Sequence, residues 1–478
     1  MPLPLISTRF ADELPAACVA WPPAPAPSPR LLHWNSGLGV ELGFDAEPPA
    51  DAAALFSGNA LLPGSRPVAQ AYAGHQFGGF SPSLGDGRAL LLGECRDSAG
   101  RLRDIALKGS GRTPFSRGGD GLAAVAPMLR ELLIGEGLHA LGVPSTRALA
   151  VVATGDTVLR ERPLPGAVLT RVADSHLRVG SFQYFAARGE LDTLRALAAH
   201  AMARHGGADP LQLLQGVAQR QARLIAQWMN LGFIHGVMNT DNMTISGESI
   251  DFGPCAFMEA YEPATVFSSI DQQGRYAYRN QPLIARWNLA RLAESLLPLL
   301  ADPEGPQATM DTAVEQVSAV IDAFPAAYDA AWREGQRVKL GLAETDATLA
   351  DDWLALLQQG EADFTLAWRR LADALEGDEA RLHLLFTDSS GLAAWLARWR
   401  AACTASPAQL RAVNPLVIPR NHHVEQALAA ASEDEDLRPT EALLAALRRP
   451  FDEAADRPPY AEPAPRAFSA GFRTFCGT

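Results

Sequence analysis

Phe233-Ile-His-Gly-Val-Met-Asn-Thr-Asp-Asn-Met-Thr-Ile-Ser-Gly-Glu-Ser-Ile-Asp-Phe-Gly-Pro254 is the stretch whose reading decides the fold. Turn residues alternate with apolar ones, which predicts a loop, a short hairpin and a second loop. Such a hairpin would bring Asn242, closing the first loop, near Asp251, opening the second. An amide oxygen and a carboxylate so placed suit a divalent ion that bridges triphosphate oxygens. A hydrogen-bonded turn is the other reading of the same residues. Just upstream, Leu214, Val217, Gln221, Leu224, Ile225 and Trp228 recur on one helical face, and Gly232 is placed to stop that helix.

The two loops resemble the catalytic and metal loops of the protein-kinase-like fold. That pattern puts an Asp two residues after the His, to take the proton of the attacked hydroxyl, whereas this chain has Val237 after His235. Asp241 is the nearest replacement carboxylate, either as base or as holder of a metal-bound water, with a capping turn residue as the alternative. Upstream, Asp104-Ile-Ala-Leu-Lys108 reads as a strand ending in lysine, and Glu131 follows on a helix. A strand lysine paired to a helix glutamate aims an ammonium at phosphate oxygens. Glu131 shares its face with Ala124, Met128, Gly135 and Leu138, and a charge among such neighbours needs a partner.

Further anion-binding candidates surround that pair. Gly85-Asp86-Gly87-Arg88 precedes a strand and offers backbone N–H groups and a guanidinium to phosphate or ribose. The segment from Gly109 to Gly121, containing Asp120, carries five glycines and two arginines directly after Lys108. It reads as a flexible anion-binding loop or as a mobile hairpin tip. Arg171 and Arg178 flank Asp174-Ser-His and, with Lys108, could neutralise a triphosphate tail, or each could be an exposed salt-bridge residue.

The rest of the chain sets the frame. Among 478 residues, 41 Lys and Arg stand against 54 Asp and Glu, a net charge of −13, which argues against nucleic acid or anionic lipid as a partner. With 47% hydrophobic and 20% charged residues, the chain can bury large cores. No apolar run reaches the ~18 residues of a membrane span, and Met1 to Phe10 lacks the pattern of a secretory signal, so a cytoplasmic protein is expected. The five cysteines Cys18, Cys95, Cys255, Cys403 and Cys476 form no CxxC pair and no zinc-ligand cluster.

Composition divides the chain into an expected α+β, two-lobed arrangement. Proline clusters such as Trp21 to Arg30 suggest that residues 1–60 form a wrapping, extended arm. Short apolar runs at Ala89 to Leu92, Ile105 to Leu107, Leu149 to Val152 and Thr157 to Leu159, around a helix from Gly121 to Gly142 that Pro127 kinks or restarts, suggest a small lobe over 61–165. Residues 166–300 would form a larger lobe with the two loops. Residues 301–478 would add a C-terminal helical region, with helices at Met310 to Gln336, Ala380 to Ala402 and His422 to Ala431, and a tail bearing Cys476.

Gln70 to Ala89, then KGSGRTPFSRGGDG, HGVMNTDNM, DFGPCAF, SSIDQQGRYAY and Asn414 to Leu428, identify the chain as resembling the selenoprotein O family of kinase-fold protein nucleotidyltransferases. The resemblance covers most of the chain. It implies a protein-kinase-like two-lobed fold that binds ATP flipped relative to a kinase and transfers AMP to Ser, Thr or Tyr hydroxyls of target proteins, with UMP from UTP as a variant. It implies that Gly85, Gly87, Arg88, Lys108, Asp120, Gly121, Arg171, Arg178 and Asp251 meet the nucleotide, and that Glu131 pairs with Lys108. Asn242 and Asp251 would ligate Mg²⁺ or Mn²⁺, and Asp241 would accept the proton. It also implies a redox role for Cys476, for which Cys255 is a candidate disulfide partner, a free thiol being the alternative. Two other readings stay open: an ATP γ-phosphotransferase, against which Val237 weighs, and a catalytically inactive nucleotide-binding scaffold.

Overall fold

The structure, a computed structural model, describes residues 3–453 and 458–475. Its strands are Cys18–Ala20 (β1), Arg30–Trp34 (β2), Val68–Gln70 (β3), Gly74–Gln76 (β4), Gly79–Ser81 (β5), Ala89–Arg96 (β6), Leu102–Lys108 (β7), Ala123–Ala124 (β8), Arg147–Leu159 (β9), Pro163–Ala173 (β10), Phe233–Ile234 (β11) and Ala256–Phe257 (β12). One antiparallel sheet runs β1-β3-β6-β7-β10-β9-β2, with β8 on β10, while β4–β5 and β11–β12 form separate pairs. The rest is largely helical, so the molecule is a mixed α and β structure.

Alternation along β10 explains how the sheet is covered. Ala167 and Leu169 pack with Met128, Leu129, Leu132 and Leu133 of helix Val125–Ala140, whereas Val168 and Val172 pack with Leu38, Leu55 and Phe56 of the N-terminal helices. Side chains on opposite faces of a strand thus feed two cores, each buried Leu or Val contributing roughly 1.5–3 kcal/mol. Helices Asn421–Glu433 and Arg438–Leu447 back the helix Val125–Ala140 from its far side through Val424, Leu443 and Leu447. The helix is consequently buried on both faces.

Several expectations need correction. The proline-rich N-terminal segment is more than an extended arm, since β1 and β2 are the two edge strands of the sheet and Leu38, Leu42, Leu55 and Phe56 belong to its core. Proline is compatible with that role, because its missing N–H is tolerated beside an edge. The runs at 149–152 and 157–159 are one strand, β9, which β10 pairs along its length with a register shift at Pro165/Ala167. The helix expected from Gly121 begins only at Val125, residues 123–124 being β8, and Pro127 lies in its first turn, where the N–H it lacks has no intrahelical acceptor. The helix expected over Ala380 to Ala402 is two, Ala380–His383 and Leu392–Ala402, parted at Gly391 with φ +85°.

Helix Pro210–Leu231 ends as expected at Gly232, whose φ of 72° closes a left-handed cap, and it starts on Asp209, which accepts the Gln212 N–H at 2.8 Å. In the C-terminal helices Trp353, Trp368, Trp395 and Trp399 are fully buried, with Trp353 and Trp395 stacked at 4.4 Å. Arg420 ties this region to the segment that follows Asp251. Its buried guanidinium meets Glu259 at 2.5 Å and Asp363 at 2.6 Å. Removing one partner of such a buried group strands the others, so Arg420→Ala is expected to cost about 3–5 kcal/mol, read by chemical denaturation. Among the described residues no helix is long and apolar enough to cross a membrane.

Candidate nucleotide and catalytic site

The site lies where β7, helix Val125–Ala140 and the loops after β11 meet. A cavity of about 460 Å³ opens there, lined among others by Gly85, Arg88, Lys108, Asp241 and Asp251. The remaining candidates Gly87, Asp120, Gly121, Glu131, Arg171, Arg178 and Asn242 line it too. Residues spread over much of the sequence are therefore brought to one cavity.

Lys108, the last residue of β7, directs Nζ to Glu131 Oε1 and to Asp251 Oδ1, both at 2.5 Å. Arg171 Nη1 donates to the same Asp251 oxygen at 2.8 Å, and Arg178 Nη1 reaches Oδ2 at 3.4 Å. Burial alone would raise the Asp251 pKa, but these three cations hold it well below the usual carboxylate range. Asp251 also adopts φ +62°, a conformation that Asp and Asn accept more readily than other side chains. Arg171 is itself held by His176, whose Nε2 accepts from Arg171 Nε at 3.2 Å while Nδ1 meets Asp104 Oδ2 at 3.2 Å. The ring therefore donates from Nδ1 and is neutral, in keeping with a pKa pushed down to about 4 by burial.

Asn242 and Asp251 reach the same cavity without the expected hairpin between them. Thr244 and Ser249 bridge instead to Arg178 and Ser145, and the turn between them closes through the Thr244 hydroxyl and the Glu248 N–H at 3.0 Å. The pair β11–β12 brackets the whole segment. Asn242 Nδ2 donates to Val237 O at 3.0 Å, which leaves its amide oxygen outside that bond. His235 is fully buried and bonds Ile250 O at 2.8 Å, so it braces the loops and does not reach the cavity.

Asp241 is buried, and burial pushes its pKa up to about 6, with Arg178 opposing. Its Oδ1 has no hydrogen-bond partner, and its Oδ2 meets Gln76 Nε2 at 3.5 Å. Gly74 of β4 approaches so closely that a Cβ there would run into Asp241 Oδ1. The Arg178 guanidinium also caps the Asp241 backbone carbonyl at 2.9 Å and lies 4.5 Å over the Tyr72 ring.

The glycine-rich elements form another part of the wall. Gly85 has φ +64°, and a Cβ there would collide with the Phe115 ring from the loop 109–121. Thr113 Oγ1 donates to Asp86 O at 2.6 Å, which locks that loop onto the Gly85–Arg88 turn. Arg88 Nη1 is buried without a hydrogen-bond partner. Asp120 pairs with Arg160 at 2.7 Å and takes the Leu122 N–H at 2.9 Å, so it already has partners on the cavity wall.

Sequence reasoning missed several lining residues. Asp86 is buried and accepts the Gln70 N–H at 3.0 Å, and burial raises its pKa. Its place between two turn glycines was the available signal. Tyr72, Gln76, Phe77, Arg160 and Ile270 also line the cavity, and nothing in their spacing singled them out. Cys255 is fully buried, with a thiol pushed up to about 12 by burial. Cys476 lies outside the described residues; Thr474, two positions earlier, donates its hydroxyl to Pro254 O at 2.6 Å.

The family model described as protein adenylyltransferase SelO matches residues 7–448. A protein nucleotidyltransferase YdiU of Cereibacter sphaeroides is 56% identical over 481 residues, covering 98% of this chain and 98% of its own. One from Chromobacterium violaceum is 57% identical over 483 residues, covering 97% of this chain and 100% of its own. One from Mycobacterium sp. is 56% identical over 482 residues, with 98% of each chain covered.

Proposed function

The chain belongs to the SelO family of protein adenylyltransferases, and from that premise we propose that it transfers AMP from ATP to Ser, Thr or Tyr hydroxyls of target proteins. UTP is an alternative donor in the same chemistry. The observation that carries the reading is the convergence of Lys108, Arg171 and Arg178 on Asp251, in a cavity that also holds the buried carboxylate of Asp241. The sheet with helix Val125–Ala140 would serve as the nucleotide-binding lobe of a kinase-like arrangement.

In this reading Lys108, fixed by Glu131, and the two arginines receive the β- and γ-phosphates, with the α-phosphorus facing the acceptor. The acceptor oxygen bonds to the α-phosphorus, the bond from that phosphorus to the bridging oxygen breaks, and pyrophosphate leaves. Positive groups fixed around the leaving group stabilise its growing charge. Asp241, which lines the cavity and whose proton affinity is raised by burial, takes the hydroxyl proton. Val237 offers no base in the position a kinase uses, which supports AMP transfer over γ-phosphoryl transfer.

Asn242 and Asp251 supply hard oxygen donors of the kind Mg²⁺ and Mn²⁺ take. Among the described residues no group of three or more His, Cys, Asp and Glu stands together to hold a metal, so phosphate oxygens and water would complete the shell. A bound ion would neutralise phosphate charge and help to align the chain of phosphates. Gly85, Gly87 and Arg88, with Gly121 and the loop that carries Asp120, would admit the remainder of the nucleotide.

Intact mass spectrometry after incubation with ATP and a target protein tests this reading. AMP-bearing protein with equimolar pyrophosphate is expected, and phosphate-bearing protein with ADP would overturn it.

A further inference from the structure

The turn Phe77-Gly78 joins β4 to β5, with Gln76 opposite Gly79. Both turn residues have positive φ, 51° and 87°, the pattern of a type I′ turn. Such turns favour Asn-Gly, and a bulky aromatic at the first position is an outlier. The ring is not hidden in a core to offset that strain, since Phe77 is 39% exposed and lines the cavity that holds Asp241.

The surroundings hold this ring in place. The Phe77 N–H donates to Asn239 Oδ1 at 3.1 Å, and the Tyr276 hydroxyl donates to the same atom at 2.5 Å. The Phe77 and Tyr276 rings meet edge on at 5.1 Å. His75 N–H donates to Thr240 Oγ1 at 2.7 Å, and Gln76 reaches Asp241. The hairpin is thus fastened to residues 239–241, and the ring is set at a fixed place relative to the proposed base. Ile270, 55% exposed, also lines the cavity.

Arg275 adds a charge to this apolar rim. Its guanidinium lies beside the turn, 3.7 Å from where a Cβ of Gly78 would be, and 5.0 Å over the Trp287 ring. Its Nε is buried without a hydrogen-bond partner, its guanidinium neighbours Tyr276, and among the described residues no carboxylate pairs with it. The nearby Asp271 is spent on the backbone N–H groups of Arg275 and Tyr276, at 2.9 and 2.8 Å. A guanidinium without a carboxylate partner, beside the turn that carries the exposed Phe77 ring, complements a carboxylate next to an apolar side chain.

We propose that Phe77, Ile270 and Arg275 form the acceptor-docking surface, which selects target segments carrying an apolar side chain and a carboxylate close to the modified hydroxyl. This rests on the proposed transfer to protein hydroxyls. The segment lies across the hairpin tip, its apolar side chain against Phe77 and Ile270 and its carboxylate on Arg275, which brings the hydroxyl to Asp241. Strain retained in the turn is explained because asparagine would relax the backbone but remove the ring.

The test uses the full chain with a non-hydrolysable ATP analogue and fluorescent serine peptides flanked by Leu and Asp, by Leu and Lys, or by glycine. Anisotropy is expected to show the Leu/Asp peptide binding at least about tenfold more tightly than the others. Phe77→Asn, which suits the turn, should keep or raise Tm while losing that preference. Arg275→Glu should reverse it toward the Lys peptide. Equal binding of all peptides, or a preference that survives both substitutions, overturns the docking surface. Transfer of α-label from ATP is read separately: preferential binding without any transfer leaves the docking surface standing and removes the adenylyltransferase reading.

Discussion

Asp251→Asn is expected to lower AMP transfer by about 10³-fold, because it removes the charge on which three cations converge and which would hold the proposed metal. Asparagine keeps the shape and tolerates φ +62°, so the loss would be electrostatic and not a collapse of the loop. Lys108, Arg171 and Arg178 have side chains only 6%, 3% and 4% exposed, and they lose their shared counter-charge in the variant. Stability without nucleotide should therefore fall by about 3 kcal/mol, the lower end of the range for a broken buried pair because water enters the cavity. Added ATP should recover part of that loss, since its phosphates supply the missing negative charge. The measurements are α-label transfer and Tm with and without ATP. Transfer within tenfold of the parent protein would remove Asp251 from the site.

Asp241→Asn is expected to slow transfer by about 10²–10⁴-fold while ATP affinity changes by less than about threefold, the pattern of a lost proton acceptor. The substitution is nearly isosteric and leaves the Arg178 contact intact, because that contact is made to the Asp241 backbone carbonyl. Titration calorimetry with ATP and single-turnover transfer separate the two quantities. A fall in binding that accounts for the whole loss of rate would show that Asp241 holds the nucleotide and does not act on the acceptor.

The parts of this site that were legible in the sequence are those written in short, chemically distinctive runs. Lys108 ends a strand and Glu131 sits on a largely apolar face of the next helix, and the kinase-like pattern of such a lysine and glutamate suggested a pair that the structure closes at 2.5 Å. Asn242 and Asp251 were legible for the same reason, although the turn between them is held by Arg178 and Ser145 and not by a hairpin. Pairing partners far away in the sequence left no such trace. β2 finds β9 across more than a hundred residues, and proline content disguised the strand as an arm. β9 looked like two runs because Gly155 and Asp156 interrupt its apolar pattern at an irregularity in the ladder, on both sides of which β10 pairs with it. The clamp of β4–β5 on residues 239–241 was equally hidden, since it is made by backbone N–H groups of one segment and side chains of another.

Acidity of the chain as a whole also concealed a local excess of positive charge. A net charge of −13 coexists with a cavity lined by six cations, Arg88, Lys108, Arg117, Arg160, Arg171 and Arg178, against the five carboxylates of Asp86, Asp120, Glu131, Asp241 and Asp251, a small positive balance in an acidic chain. Summed charge governs long-range attraction to polyanions, whereas binding of one triphosphate depends on a few fixed groups at contact distance.

The central claim is tested most directly by incubating the protein and a target with ATP labelled on either the α or the γ phosphate, alongside Asp251→Asn. The account predicts α-label on protein, γ-label released as pyrophosphate, and neither label on protein with the variant. γ-Label on protein, or no label on protein from the parent enzyme, would contradict it.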